Sequence, residues 1–244
     1  MLGEGWGIGA QKEALSTAKN LANADGHTPF ADDVYKTLVP RKRNAPFRLE
    51  DLHDMTGIEN ALRATIARVF RPLEDLYGTA ETADLKDAVY DMITETSRAE
   101  TTLDGLTDEE LESFREIVLQ KLATRINMGM ESYKVAREML IYLGYSEHEL
   151  SWIRTVSAWD FGRTGFIARY SVKMGYMGED EAWGFMQVAA DGAVNAYRNW
   201  REYLAGYVLG RALGYGDDSK GVCGILRYLL SGGDSPYKEA SFSS

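Results

Sequence analysis

The chain has 244 residues, 45% of them hydrophobic and 26% charged, a balance that fits a globular domain and excludes a disordered or fibrous chain. Its formal charge of −10 runs against a free-standing nucleic-acid binder. Its single cysteine, Cys223, excludes an intramolecular disulfide and points to a reducing compartment.

In chain order, the opening "MLGEGWGIGA" has neither a basic n-region nor an apolar h-region, so no signal peptide is expected. No apolar run approaches membrane-spanning length. Hydrophobic residues recur at helical spacing, and the alternation of a strand is almost absent. The pattern predicts helices over 10–24, 58–76, 82–98, 107–127, 129–143, 148–174 and 179–212. Between 27 and 57, which holds three of the five prolines, it predicts loop with short helical turns. The fold expected is all-α, a multi-helix orthogonal or bundle-like domain whose last two long helices form an antiparallel hairpin. The segment "AETTLDG", 99–105, is the candidate junction between an N-terminal helical lobe, 1–98, and a C-terminal lobe, 106–230. A single continuous domain is the alternative, and 231–244 reads as a flexible tail or one ordered only by docking.

Two helix starts are spelled out. Thr107 with Glu110 and Ser146 with Glu149 each make a capping box. "GYSEHELSW" (144–152) and "GYMGEDEAW" (175–183) repeat a Gly that ends one helix in left-handed geometry, followed by acids suited to the first turn of the next.

The negative charge is concentrated. Between Glu74 and Glu112 thirteen acids face only Lys86 and Arg98, so the remainder of the chain is close to neutral. Within 84–98, Leu85, Ala88, Val89, Met92 and Ile93 form a core face, and Asp84, Asp87, Asp91 and Glu95 run down the other side. That face is either a solvated surface or a docking surface for a basic partner. The basic run Arg41, Lys42, Arg43 could also dock on it from within the chain.

Around 150–174 the apolar stripe contains Trp152, Val156, Trp159, Phe166, Ile167, Tyr170 and Met174, and Arg163 falls inside it. A buried guanidinium must be paired, and Asp160, three residues back, is the local candidate. The pair is either a structural brace supported by Trp159 or a site that holds an anionic ligand, unless the helix kinks and leaves Arg163 exposed. The following stripe, Trp183, Met186, Ala190, Ala193, Tyr197, Trp200, Leu204 and Tyr207, reaches Arg211 in register. A straight hairpin sets Arg163 against Ala190, with small residues leaving room for Trp159. Arg211 joins that site only if the last helix breaks, for example near Asn199 or Gly206. Trp159, Asp160, Arg163, Trp200 and Arg211 are the candidate binding residues.

No metal site, cofactor motif or catalytic constellation is legible. The one Glu-x-x-His, Glu50 to His53, lacks a second copy, His27 after Gly26 reads as a turn or cap residue, and Cys223 as a buried thiol.

"WDFGR" (159–163), "GYMGEDEAW" (175–183), "NWREY" (199–203), "LGR" (209–211), "WGI" (6–8), "EAL" (13–15) and "GH" (26–27) together resemble an uncharacterised bacterial family, the YbeU/YbeR-like proteins with domain of unknown function 1266. The resemblance spans most of the chain. It implies a bacterial, mostly helical protein and no known reaction or cofactor.

Two functions are therefore carried forward. One is a non-enzymatic cytoplasmic interaction module, immunity-like, antitoxin-like or accessory to a basic protein, with no nucleic-acid or membrane partner expected. The other is an enzyme or binder of a small anionic ligand at Trp159, Asp160 and Arg163. The sequence leans toward the non-enzyme and leaves the oligomeric state open.

Overall fold

A computed structural model describes residues 8–41, 58–94, 107–216 and 220–242. The basic residues 42–48, the Glu50–His53 motif, Glu95 and the 99–105 junction lie outside them. Every regular element among the described residues is helical, and no strand occurs among them.

Helix α1 (Gln11–Ala22) begins where the Glu13 carboxylate reaches back to the backbone N–H groups of Gly9 and Ala10. It buries Ala14, Ala18 and Leu21. Helix α2 (Thr28–Asp33) runs into a π-helical turn, Val34–Leu38, and a last short piece, α3 (Val39–Arg41). The π turn sits just before Pro40, which has no N–H to continue an α ladder. Helix α4 (Glu59–Tyr77) stops at Gly78, whose φ of 95° ends the helix, and pairs with α5 (Thr79–Thr94).

The helices expected over 107–127 and 129–143 are one, α6 (Asp108–Tyr142), 35 residues long and roughly 52 Å at the α-helical rise. Gly129 lies inside it, and its missing side chain serves packing. A methyl there would come within 2.7 Å of the Leu213 carbonyl oxygen on a crossing helix. The expected capping box of Thr107 and Glu110 starts α6, and that of Ser146 and Glu149 starts α7 (Glu147–Ser151).

The two helices expected over 148–174 and 179–212 are both broken. The first gives α7, an irregular stretch, and α8 (Ala158–Lys173). The second gives α9 (Glu179–Ala196) and α10 (Trp200–Tyr215). Both breaks are held by tertiary hydrogen bonds that replace helical ones. Asp32 of α2 accepts from Val156 N and Thr155 Oγ1, each at 2.8 Å, and Tyr35 Oη donates to Ile153 O at 3.0 Å. Tyr197, extended at φ −130°, accepts from Ala158 N at 2.9 Å and donates to Thr155 O at 2.9 Å. Asn199 then caps α10, its Oδ1 accepting from Glu202 N at 2.9 Å. The Gly-Tyr punctuation behaves as expected, with Gly144 at φ 90° and Gly175 at 73°.

Helices α8 and α9 form the antiparallel hairpin, but in a different register from the straight one. Phe161, not Trp159 or Arg163, enters the small-residue stretch, where a methyl on Gly192 would lie 2.7 Å from its ring. Trp183 is 68% exposed and Ala190 is exposed, so neither is in the seam.

Two apolar clusters result. The smaller joins Ile8, Ala14, Ala18 and Leu21 to Ile167 and Ala168 of α8, Met177 and Ala182. The larger draws on α2, α4, α5, α6 and α10, with Phe30, Phe70, Leu122 and Leu213 among its members. It also takes Cys223 and Leu226 from α11 (Lys220–Ser231). No described helix is long and apolar enough to cross a membrane.

Candidate functional site: the Asp160–Arg163 brace

Asp160 and Arg163 occupy one face of α8, three residues apart, and both are withdrawn from solvent, at 0% and 4% exposure. Arg163 Nη2 donates to Asp160 Oδ1. The other carboxylate oxygen accepts the backbone N–H groups of His27 and Thr28, each at 2.8 Å, so Asp160 fastens the start of α2 to α8. Gly26 permits this approach, since a methyl there would meet both Asp160 oxygens at 3.1 and 3.2 Å and the Leu21 side chain at 2.8 Å.

The guanidinium is engaged on all three nitrogens. Nη2 also reaches His27 Nδ1 at 2.7 Å, Nη1 donates to Tyr215 Oη at 3.0 Å, and Nε to the Trp159 carbonyl at 3.4 Å. A guanidinium only donates, so His27 Nδ1 must accept and the imidazole carries its proton on Nε2. The electrostatics agree. Burial, reinforced by the Arg163 charge, brings the His27 pKa down to about 4 against the opposing pull of Asp160. His27 and Asp160, although 4.0 Å apart, are therefore not an ion pair at neutral pH.

Aromatic rings enclose the network. His27 stacks on Tyr215 at 4.8 Å between centroids, and Trp159 sets its edge against Tyr207 at 4.8 Å and Tyr215 at 5.7 Å. The break at 197–199 lets α10 turn back along α8. Arg211 thereby arrives 5.2 Å from the Trp159 ring, with Arg163 at 4.8 Å from it. Gly162 and Gly210 make the crossing possible. A methyl on the first would strike the Tyr207 ring at 2.6 Å, and one on the second would collide with the Val156 carbonyl.

Of the five candidate binding residues, four converge: Trp159, Asp160, Arg163 and Arg211. Trp200 stands apart at the start of α10. It stacks on Tyr237 at 4.2 Å, donates from Nε1 to Ala240 O at 2.8 Å and meets Phe242 edge-on, so it holds the C-terminal segment. The sequence reading missed His27 and Tyr215 as members of the network. They lie more than fifty residues from Arg163 and carry no local spacing signal, although the "GH" dipeptide was part of the family resemblance. Two buried polar atoms beside the network, Thr28 Oγ1 and Trp159 Nε1, have no hydrogen-bond partner among the described residues.

Leu85, Ala88 and Val89 of α5 are buried, Asp84 and Asp87 are exposed, and Asp91 is half-buried. Glu95 falls outside the described residues. Cys223 is buried, and no group of metal-ligating side chains occurs among the described residues.

Among known proteins, the family described as "Protein of unknown function (DUF1266)" matches residues 1–242. The uncharacterized protein YbeR of Escherichia coli K12 is 38% identical over 56 residues, 23% of this chain. That alignment spans 24% of YbeR. No solved structure matches the chain.

Proposed function

The chain belongs to the DUF1266 family of unknown function, and from that premise we propose that it is a non-enzymatic protein-interaction module of the bacterial cytoplasm. In this reading it is an immunity-like, antitoxin-like or accessory protein that takes a basic partner on the outer face of α5. The observation that carries it is the separation of the two sides of that helix. Leu85, Ala88 and Val89 are spent on the core, and Asp84 and Asp87 stand in solvent one turn apart, with Asp91 half-buried beyond them. Like charges so spaced repel by a few tenths of a kcal/mol per pair. A complementary surface would speed encounter.

The alternative, an enzyme or anionic-ligand binder at Trp159, Asp160 and Arg163, loses support from the burial of the pair. Asp160 is satisfied by two backbone N–H groups and Arg163 by three side chains and a carbonyl, as a brace would be.

The test is capture of partners from the native host's lysate at low salt, a salt step, and mass spectrometry of the eluate. The triple variant Asp84→Lys, Asp87→Lys, Asp91→Lys serves as the comparison. The expected result is a basic protein released by salt and absent from the variant's eluate, since surface ion pairs are screened beyond roughly 8 Å at physiological ionic strength. The same proteins retained by the variant would contradict the reading.

A further inference from the structure

Helix α9 is covered on one side only. Ala182, Ala189 and Ala193 are buried where it packs on α8 and α1. The opposite side stands in solvent, and it is not the polar face that a surface helix normally presents. Trp183, Val188, Ala190 and Val194 are all exposed there, beside Gly184. Between Ala182 and Tyr197 the sequence has one charge, Asp191, and the Gln187 amide donates to it at 2.8 Å. Contiguous exposed apolar surface of this kind marks a contact face. The two ends of the helix differ in sign. Glu179, Asp180 and Glu181 are exposed in its first turn. Arg198, its side chain 54% exposed and its Nε bonded to Glu202, lies just past the last turn.

We propose that this face of α9 packs antiparallel on the same face of a second copy of the chain, about a twofold axis. A twofold contact is isologous: where one residue meets another, the second meets the first in return. For two antiparallel helices the contact positions must then have the same spacing read from either end. The exposed stripe meets that condition. Trp183, Gln187, Ala190 and Val194 follow one another by steps of four, three and four, and one more step of four in each direction reaches Glu179 and Arg198. In this register Trp183 of each copy lies over Val194 of the other, Gln187 meets Ala190 beside the axis, and Glu179 faces Arg198. The small Ala190 lets the helices approach there, and their macrodipoles run in opposite directions. Charge selects this arrangement, since parallel helices would set the two acidic first turns against each other. The contact is one helix deep, roughly 27 Å long at the α-helical rise. It buries less than the roughly 1,600 Å² of a standard interface, so the dimer separates on dilution. It does not involve the acidic face of α5, so either reading can fail without the other.

Sedimentation equilibrium of the intact chain between about 1 and about 200 µM tests the proposal. A reversible rise from the mass of one chain to that of two is expected. Ala190→Glu sets two carboxylates side by side at the axis and should raise the dissociation constant at least about tenfold. Its circular dichroism should match the parent's, because position 190 is exposed. Oxidative cross-linking reads the register. A mixture of Trp183→Cys and Val194→Cys chains should form a disulfide-linked dimer, and neither variant alone should. The mass of one chain at every concentration, an Ala190→Glu variant that dimerises like the parent, or a mixture that cross-links no faster than Trp183→Cys alone would overturn the assignment.

Discussion

His27 makes the brace sensitive to acid. The unfolded chain takes up a proton on this imidazole near its ordinary value of 6.5, but the folded chain does not until about pH 4. Between those values the unfolded state binds more protons, so stability is fully present above about pH 6.5, falls as the pH drops, and levels off below about 4. Urea midpoints of the parent and of His27→Gln should therefore diverge in slope between pH 6.5 and 5, above the range where most carboxylates titrate. The parent should be the steeper of the two, and parallel curves would show that the imidazole is not held neutral. At this scale the sequence was legible where partners are local. Arg163 inside an apolar stripe with Asp160 three residues away was enough to expect the pair. It could not supply His27, Thr28 or Tyr215, because those contacts are created by the packing of α2 and α10 on α8. It also placed Trp200 with Arg163, which the break before α10 prevents.

At the scale of elements, helix identity was readable and helix continuity was not. The apolar period runs on through 152–157 and through 197–199, because Val156 and Tyr197 are buried whether or not the backbone around them is helical. What ends the helices is the side chains of Asp32, Tyr35 and Tyr197 taking over backbone hydrogen bonds from a distance. The cap that restarts the chain as α10 is local, the Asn199 side chain accepting from Glu202 N. Conversely, the two helices expected over 107–127 and 129–143 are one, and Gly129 inside it is a crossing point for α10. The close approach of α10 to the 152–157 stretch yields a test. Gly210→Ala drives a methyl into the Val156 carbonyl and toward Trp159 Cβ, 3.0 Å away, and backbone cannot yield as a side-chain tip would. A loss of about 1–3 kcal/mol in chemical denaturation is expected. A neutral substitution would mean that α10 sits farther from α8 than described here.

Across the whole molecule, the brace is the polar joint between two apolar clusters. Residues of α1 and the inner face of α8 belong to the smaller one, and α2 and α10 to the larger. Asp160 and Arg163 project from α8 to α2 and α10, so one ion pair ties the clusters together. Charge is layered around that joint. Acids stand on the outside of α5, Arg211 stands beside Arg163 at the Trp159 ring, and Arg125 is set against Phe30 of α2. A structural role for Arg163 is measured by equilibrium urea unfolding of Arg163→Ala. Removing the guanidinium leaves the Asp160 carboxylate buried and short of its cation, so a loss of about 3–5 kcal/mol is expected. Near-parental stability would contradict the account and return Arg163 to the role of a ligand-binding residue.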